Sequence, residues 1–121
     1  MILRSIGGVR TNIIDLALWD QNFYKNKLGR ANQNIIQKMH EEDPMKVGWG
    51  LGIQKDSYRG LRTVGSAGSM AGFRAQLMRF PDENFSVIIL ANRADANPTE
   101  MAYQVADILL KSQFKASSEP E

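Results

Sequence analysis

The chain of 121 residues has no cysteine and a single histidine, His40. Neither a disulfide framework nor a thiolate metal site is open to it, and one histidine rules out a histidine-cluster metal centre within the chain. Long apolar runs are missing too, so no segment reads as a membrane span. The N-terminus, Met-Ile-Leu-Arg-Ser-Ile-Gly-Gly, has no charged region followed by a long apolar stretch and is not read as a signal peptide. Lack of cysteine suits an exported protein as well as a cytoplasmic one, so the compartment stays open. Charge of one sign is also scarce: fifteen basic against thirteen acidic residues leave a net +2. The basic residues form no run or stripe, so a nucleic-acid partner is not expected.

What is present suits one folded unit. The chain is 43% apolar and 23% charged, values typical of a globular domain, although so short a chain buries a modest core and has a thin stability margin. Thr11 or Asn12 can cap a first helix, with Asp15 favourable in its first turn and Gly29 as a stop. Ile13, Leu16, Ala17, Leu18, Trp19, Phe23 and Tyr24 give this helix an apolar stripe, with Trp19 expected in the core. A weaker helix follows from about Asn32 to His40, where His40 serves as a C-terminal cation or a solvated side chain.

From Lys46 the period changes to two. Val47, Trp49, Leu51 and Ile53 alternate with Gly48, Gly50 and Gly52, which predicts a strand over 46–55 with one bare face, Trp49 in the core, and another backbone close by. Asp56-Ser57 is read as a hairpin turn, 58–64 as the return strand, Gly65–Gly72 as a glycine-rich corner and 73–80 as a third strand. Arg74 and Arg79 fall at alternating solvent-facing positions of that strand. Pro81-Asp82-Glu83-Asn84 turns the chain into 85–91, apolar on both faces and so expected to be a covered central strand. Asn97, Pro98 and Glu100 form a capping box with a proline lead-in, opening a last helix with Met101, Val105, Ile108 and Leu109 as its buried stripe. The expected fold class is α+β: an antiparallel sheet of about four strands flanked by N-terminal and C-terminal helices. It forms one partial domain over 1–111 (helices 12–40, sheet 46–92, helix 98–111), with a disordered tail over 112–121.

Several segments, taken in order, carry a resemblance. Gly7-Gly8-Val9-Arg10-Thr11 with Asp15–Trp19, the glycine-rich 47–52, Gly65-Ser66-Ala67-Gly68-Ser69-Met70-Ala71-Gly72-Phe73, and the closing strand 87–92 with its capped helix resemble the C-terminal half of serine β-lactamases, D-alanyl-D-alanine peptidases and related esterases. The resemblance covers about residues 7–111 and implies the C-terminal half of the β-lactamase/transpeptidase-like fold. In that family an S-x-x-K serine forms an acyl-enzyme, a Y-x-N or S-x-N motif relays protons, and a K-T-G or H-x-G strand binds the substrate carboxylate. The N–H following the glycine of that third motif supplies part of the oxyanion hole.

Carried over residue by residue, the resemblance yields a third-motif remnant, Ser66-Ala67-Gly68, with Ser69 as the oxyanion-hole candidate and Asn92 as a possible substrate contact. Ser66 stands where the family has Lys or His and lacks their charge; it is either a turn serine or a residual polar contact. Asn92 is alternatively a residue that simply ends its strand. Ser112-Gln113-Phe114-Lys115 spells S-x-x-K, but lies at the end of the last helix with no following chain to build a site. Tyr24-Lys25-Asn26 spells Y-x-N, but at the end of the first helix, where Tyr24 is a partly buried aromatic.

No complete catalytic set, metal or cofactor is therefore expected. The chain is read as part of an acyl-serine amide or ester hydrolase, inactive alone, with a β-lactam or peptide/ester substrate only in an intact parent. The alternative is a free-standing binding or assembly module. Expected partners are a missing N-terminal half or a second copy, because a sheet uncovered by its usual neighbours exposes apolar surface.

Overall fold

The reversals of the sheet sit at residues whose backbone can turn tightly. In a computed structural model describing residues 8–25 and 33–115, the order is α1 (Ile13–Gln21), α2 (Gln33–His40), β1 (Gln54–Tyr58), β2 (Leu61–Met70), β3 (Phe73–Phe80), β4 (Phe85–Ala91) and α3 (Pro98–Leu109). The four strands form one antiparallel sheet in the order β1-β2-β3-β4. The fold is thus α+β, with helices from both ends of the chain flanking the sheet.

Four sequence expectations are corrected here. The alternating stretch 46–53 is not a strand. Gly48 and Gly52 take left-handed φ values of 83° and 69°, which break the extended path into turns with isolated bridges, so the sheet runs over 54–91 rather than 46–92. The close backbone approach holds for Gly50, where an added Cβ would collide with the Met39 carbonyl. The first hairpin turns at Arg59-Gly60, both with positive φ, and Asp56-Ser57 lie within β1. Gly65–Met70 is no corner. It continues β2 in unbroken register with β3, and only Ala71-Gly72 turn. Finally, among the described residues β4 is the last strand of the sheet, although its composition reads as central; its two faces are covered as expected, by α3 on one side and α1 on the other.

The main core lies between the sheet and α3: Leu61, Met78, Phe80 and Val87 meet Ala102, Ala106 and Leu110. Asn97 caps α3 by accepting from the Glu100 N–H, as expected. The buried side of α3 differs from expectation, however. The alanines face inward because they let the helix lie close to the aromatic sheet surface, while Met101, Ile108 and Leu109 are exposed and Val105 is half-buried. Beyond α3, Lys111–Gln113 make a 3-10 turn and Phe114 packs edge-on to Tyr58. The chain so stays attached through Lys115, whose N–H donates to the Arg59 carbonyl, and 116–121 lie outside the described residues.

Helix α1 starts at the expected cap, Asn12, and ends at Gln21, well before Gly29, which lies outside the described residues. Its buried residue is Asp20, not an apolar one. Ile14 and Leu18 are exposed, and Trp19 is partly so instead of being core. Asp20 reaches Arg79, which is 2% exposed and thus far from solvent-facing, through Nε and Nη2 bonds of 2.8 and 2.6 Å. The same guanidinium lies 3.7 Å above the Phe23 ring. Tyr24 donates to the Phe85 carbonyl and touches the Ser86 hydroxyl, so α1 is fastened to β3 and β4 largely by polar contacts. His40 is half-buried, its Nδ1 2.7 Å from the Ile36 carbonyl and its ring edge-on to Phe23.

Burial disfavours the tyrosinate and pushes the pKa of Tyr24, Tyr58 and Tyr103, all the tyrosines in the chain, above the ordinary phenol value. Tyr58 stacks on Tyr103 at 4.0 Å and donates to Asp107. A folded-state value above the unfolded one means these groups support folding below the unfolded value, near 10, and that this support is lost as pH rises through the folded values. Spectrophotometric titration should show no native tyrosine ionising at its ordinary value, with unfolding setting in on the alkaline side. A tyrosinate step at the ordinary value before unfolding would contradict this.

Candidate functional site

In a pleated sheet, directly paired residues share a face. The register Ser66↔Leu77 and Gly68↔Ala75, continued by Leu77↔Ile88 and Ala75↔Leu90, therefore puts Ser66 and Gly68 on the face opposite α3. That face forms the floor of an open trough of about 1460 Å³. One wall is α1 and its exit, with Leu16, Trp19 and Phe23. Another is built from Met39, Leu51 and Ile53, and the rim carries Ser66–Ala71 and Asn92. The structure thus brings Ser66, Ala67, Gly68, Ser69 and Asn92 to one depression from two strands. Ser66 through Ser69 and Asn92 are exposed to solvent.

The register also determines where the backbone groups of this segment point. Met70 and Phe73 close a two-residue turn, so that pair and every second pair beyond it exchange hydrogen bonds. Ala67 and Ser69 occupy the alternate positions, and their N–H and C=O groups face away from β3. Strand β1 covers that side of β2 only as far as Gln54↔Gly65. Past Gly65 the edge is open among the described residues, and the Ser69 N–H lies on it. Gly65 itself is required for packing, because a Cβ there would run into the Leu77 carbonyl. Ala71 ends the segment in the left-handed region at φ 50°, an unfavourable conformation for a residue with a Cβ.

The electrostatics of the trough are one-sided. Arg10, Arg74 and Arg79 line it, and no carboxylate does among the described residues. Arg79 is neutralised by Asp20. Arg74 is half-buried instead of solvent-facing and donates to the carbonyls of Ala71 and Phe73, which holds it at the turn that follows Ser69. Sequence reasoning missed both arginines as site residues. Both were read as solvent-facing; they lie on opposite faces of β3, Arg79 on the face that α1, remote in sequence, turns inward, and Arg74 beside the Ala71-Gly72 turn.

The two decoy motifs are not brought to the trough rim. Ser112 and Lys115 are exposed at the far end of the chain, and Lys115 packs beside Gly60. Tyr24 is half-buried against β4, and Asn26 lies outside the described residues. Among the described residues no serine or threonine hydroxyl bonds to a lysine or histidine, and no group of three or more His, Cys, Asp or Glu could hold a metal ion. No helix of the described residues is long and apolar enough to cross a membrane.

Among curated proteins, the chain is 29% identical over 86 residues to the D-aminopeptidase of Cereibacter sphaeroides, a match covering 65% of this chain and 17% of that protein. The chain thus corresponds to a small part of the length of that relative. No protein-family model and no solved structure matched. The sheet flanked by helices and this partial similarity together suggest a broad likeness to penicillin-recognising enzymes.

Proposed function

We propose that this chain is the sheet-and-helix half of an acyl-serine amide or ester hydrolase of the β-lactamase and D-alanyl-D-alanine peptidase type, and that it contributes the substrate-binding strand but not the nucleophile. The observation that carries this reading is the open edge of β2. Supporting it, Ser66 and Gly68 lie on the trough floor, the Ser69 N–H lies on an edge that no strand covers among the described residues, and Asn92 lies at the same rim. An acyl group laid along this edge finds backbone donors and no bulky side chain at Gly68. The likeness to a D-aminopeptidase supports the same reading. In this proposal Arg10 and Arg74 favour a substrate with an anionic end, such as a carboxylate-bearing β-lactam or peptide, partly replacing the cation that Ser66 cannot supply, while Arg79 is already neutralised by Asp20.

Because no nucleophile and base are in contact among the described residues, this reading expects the chain by itself to form no acyl-enzyme. Incubation with a penicillin followed by intact-mass spectrometry should show no stable adduct, and a chromogenic cephalosporin should not be turned over. An adduct, above all on Ser112, would overturn the proposal. A free-standing binding module, the second reading, is favoured if the chain alone binds a β-lactam or a D-amino-acid peptide reversibly at the trough.

A further inference from the structure

Beneath the trough floor, the Ser66 end of the β2–β3 ladder is braced by a buried amide. Gln76 pairs with Ala67 and Ile89, which puts its side chain on the α3 face, and it is 6% exposed. Its Nε2 donates to the Leu77 carbonyl at 3.1 Å and to the Ser66 carbonyl at 3.4 Å. Its Oε1 accepts from the Thr99 hydroxyl at 2.7 Å, in the first turn of α3. Hydrogen bonds thus run without a break from α3 through Gln76 to the strand that carries Ser66, Gly68 and Ser69.

A second feature marks the same place. Gly65, paired with the core residue Met78, stands where the Leu77 carbonyl fills the space its Cβ would need. The two strands therefore close up on the α3 side, beside the Gln76 amide. This is also where β1 stops covering β2, at Gln54↔Gly65. Beyond it, among the described residues, β3 is the only strand holding 66–70, so the brace sits where the strand loses its other neighbour.

On the reading of β2 as a substrate-binding strand, we infer that Gln76 and Thr99 are positioning residues for the trough. Gln76 fixes the pitch of the Ser66 peptide, and the rigid peptide planes that follow carry this orientation to the Ser69 N–H. A backbone donor serves a developing oxyanion only when it is held on target in advance. Thr99 ties the same strand to the start of α3, which opens after the loop carrying Asn92. Both sides of the rim thereby keep one spacing. Neither residue has to touch a ligand.

A merely structural amide would stabilise the sheet as a whole, and hydrogen exchange separates the two roles. Gln76→Met with Thr99→Val removes donor, acceptor and hydroxyl together at similar volume, so neither partner is left stranded and the urea midpoint should hold. Exchange should then speed about tenfold at the Ser66 and Gly68 amides, which pair with β3, with the Val64 amide unchanged. Thr99→Val alone leaves the strands untouched and guards against misfolding of the double variant: Ser66 and Gly68 should again exchange faster relative to Val64. Thr99→Ser keeps the hydroxyl and should match the parent. Equal acceleration at all three amides, or none at Ser66 and Gly68, overturns the inference and leaves Gln76 an ordinary core amide. These amides report the brace whatever the trough binds, so a failed brace is distinct from the penicillin adduct that would overturn the hydrolase reading.

Discussion

Asp20→Ala is expected to destabilise the chain by about 3–5 kcal/mol, because it leaves the Arg79 guanidinium buried and without its counter-charge. The ion pair is almost fully buried, with Asp20 only 4% exposed. It is the main link between α1 and the sheet, since most apolar residues of α1 face outward. Urea unfolding should register the loss, and hydrogen exchange should show α1 opening first. Replacing both partners with apolar residues, Asp20→Leu with Arg79→Met, should recover most of the stability, because no stranded charge remains. A single variant as stable as the parent would show that the pair is hydrated and that α1 is held by other contacts.

The other large effect belongs to the core on the α3 side. Phe80→Ala should cost about 3–5 kcal/mol, since Phe80 is fully buried, packs against Phe85 at 6.0 Å and belongs to the cluster beneath Ala102 and Ala106. The alanines of α3 are too small to refill the space, so relaxation would have to come from Met78 and Leu110 in the same cluster. Calorimetry or urea titration would measure it. A loss near that of a surface substitution would mean that α3 collapses onto the sheet.

These two sites differ in how far they could be read from the sequence. Phe80 was assigned to a strand by local pattern, and its burial follows from that strand lying inside the sheet. The Asp20–Arg79 pair joins residues 59 apart in sequence. Neither periodicity nor turn chemistry links them, and alternation alone assigned Arg79 to solvent. The trough shows the same division. Ser66, Gly68, Ser69 and Asn92 were named from their motif positions, whereas Arg10 and Arg74 joined them only through the fold.

Local chemistry alone determined the capped start of α3 at Asn97, the start of α1 at Asn12, and the extents of β3 and β4, because caps, turns and period-two apolar runs act over a few residues. Tertiary structure alone decided three matters. Gly65–Met70 became strand because β3 offered it an unbroken ladder. Among the described residues the apolar strand β4 ended the sheet, and its composition is satisfied on its two faces by α1 and α3. Helix α3 turned its alanines inward because close approach to Phe80 and Val87 fills space better than its larger side chains would. In each case the deciding contact lies far away in sequence, where no local pattern reaches.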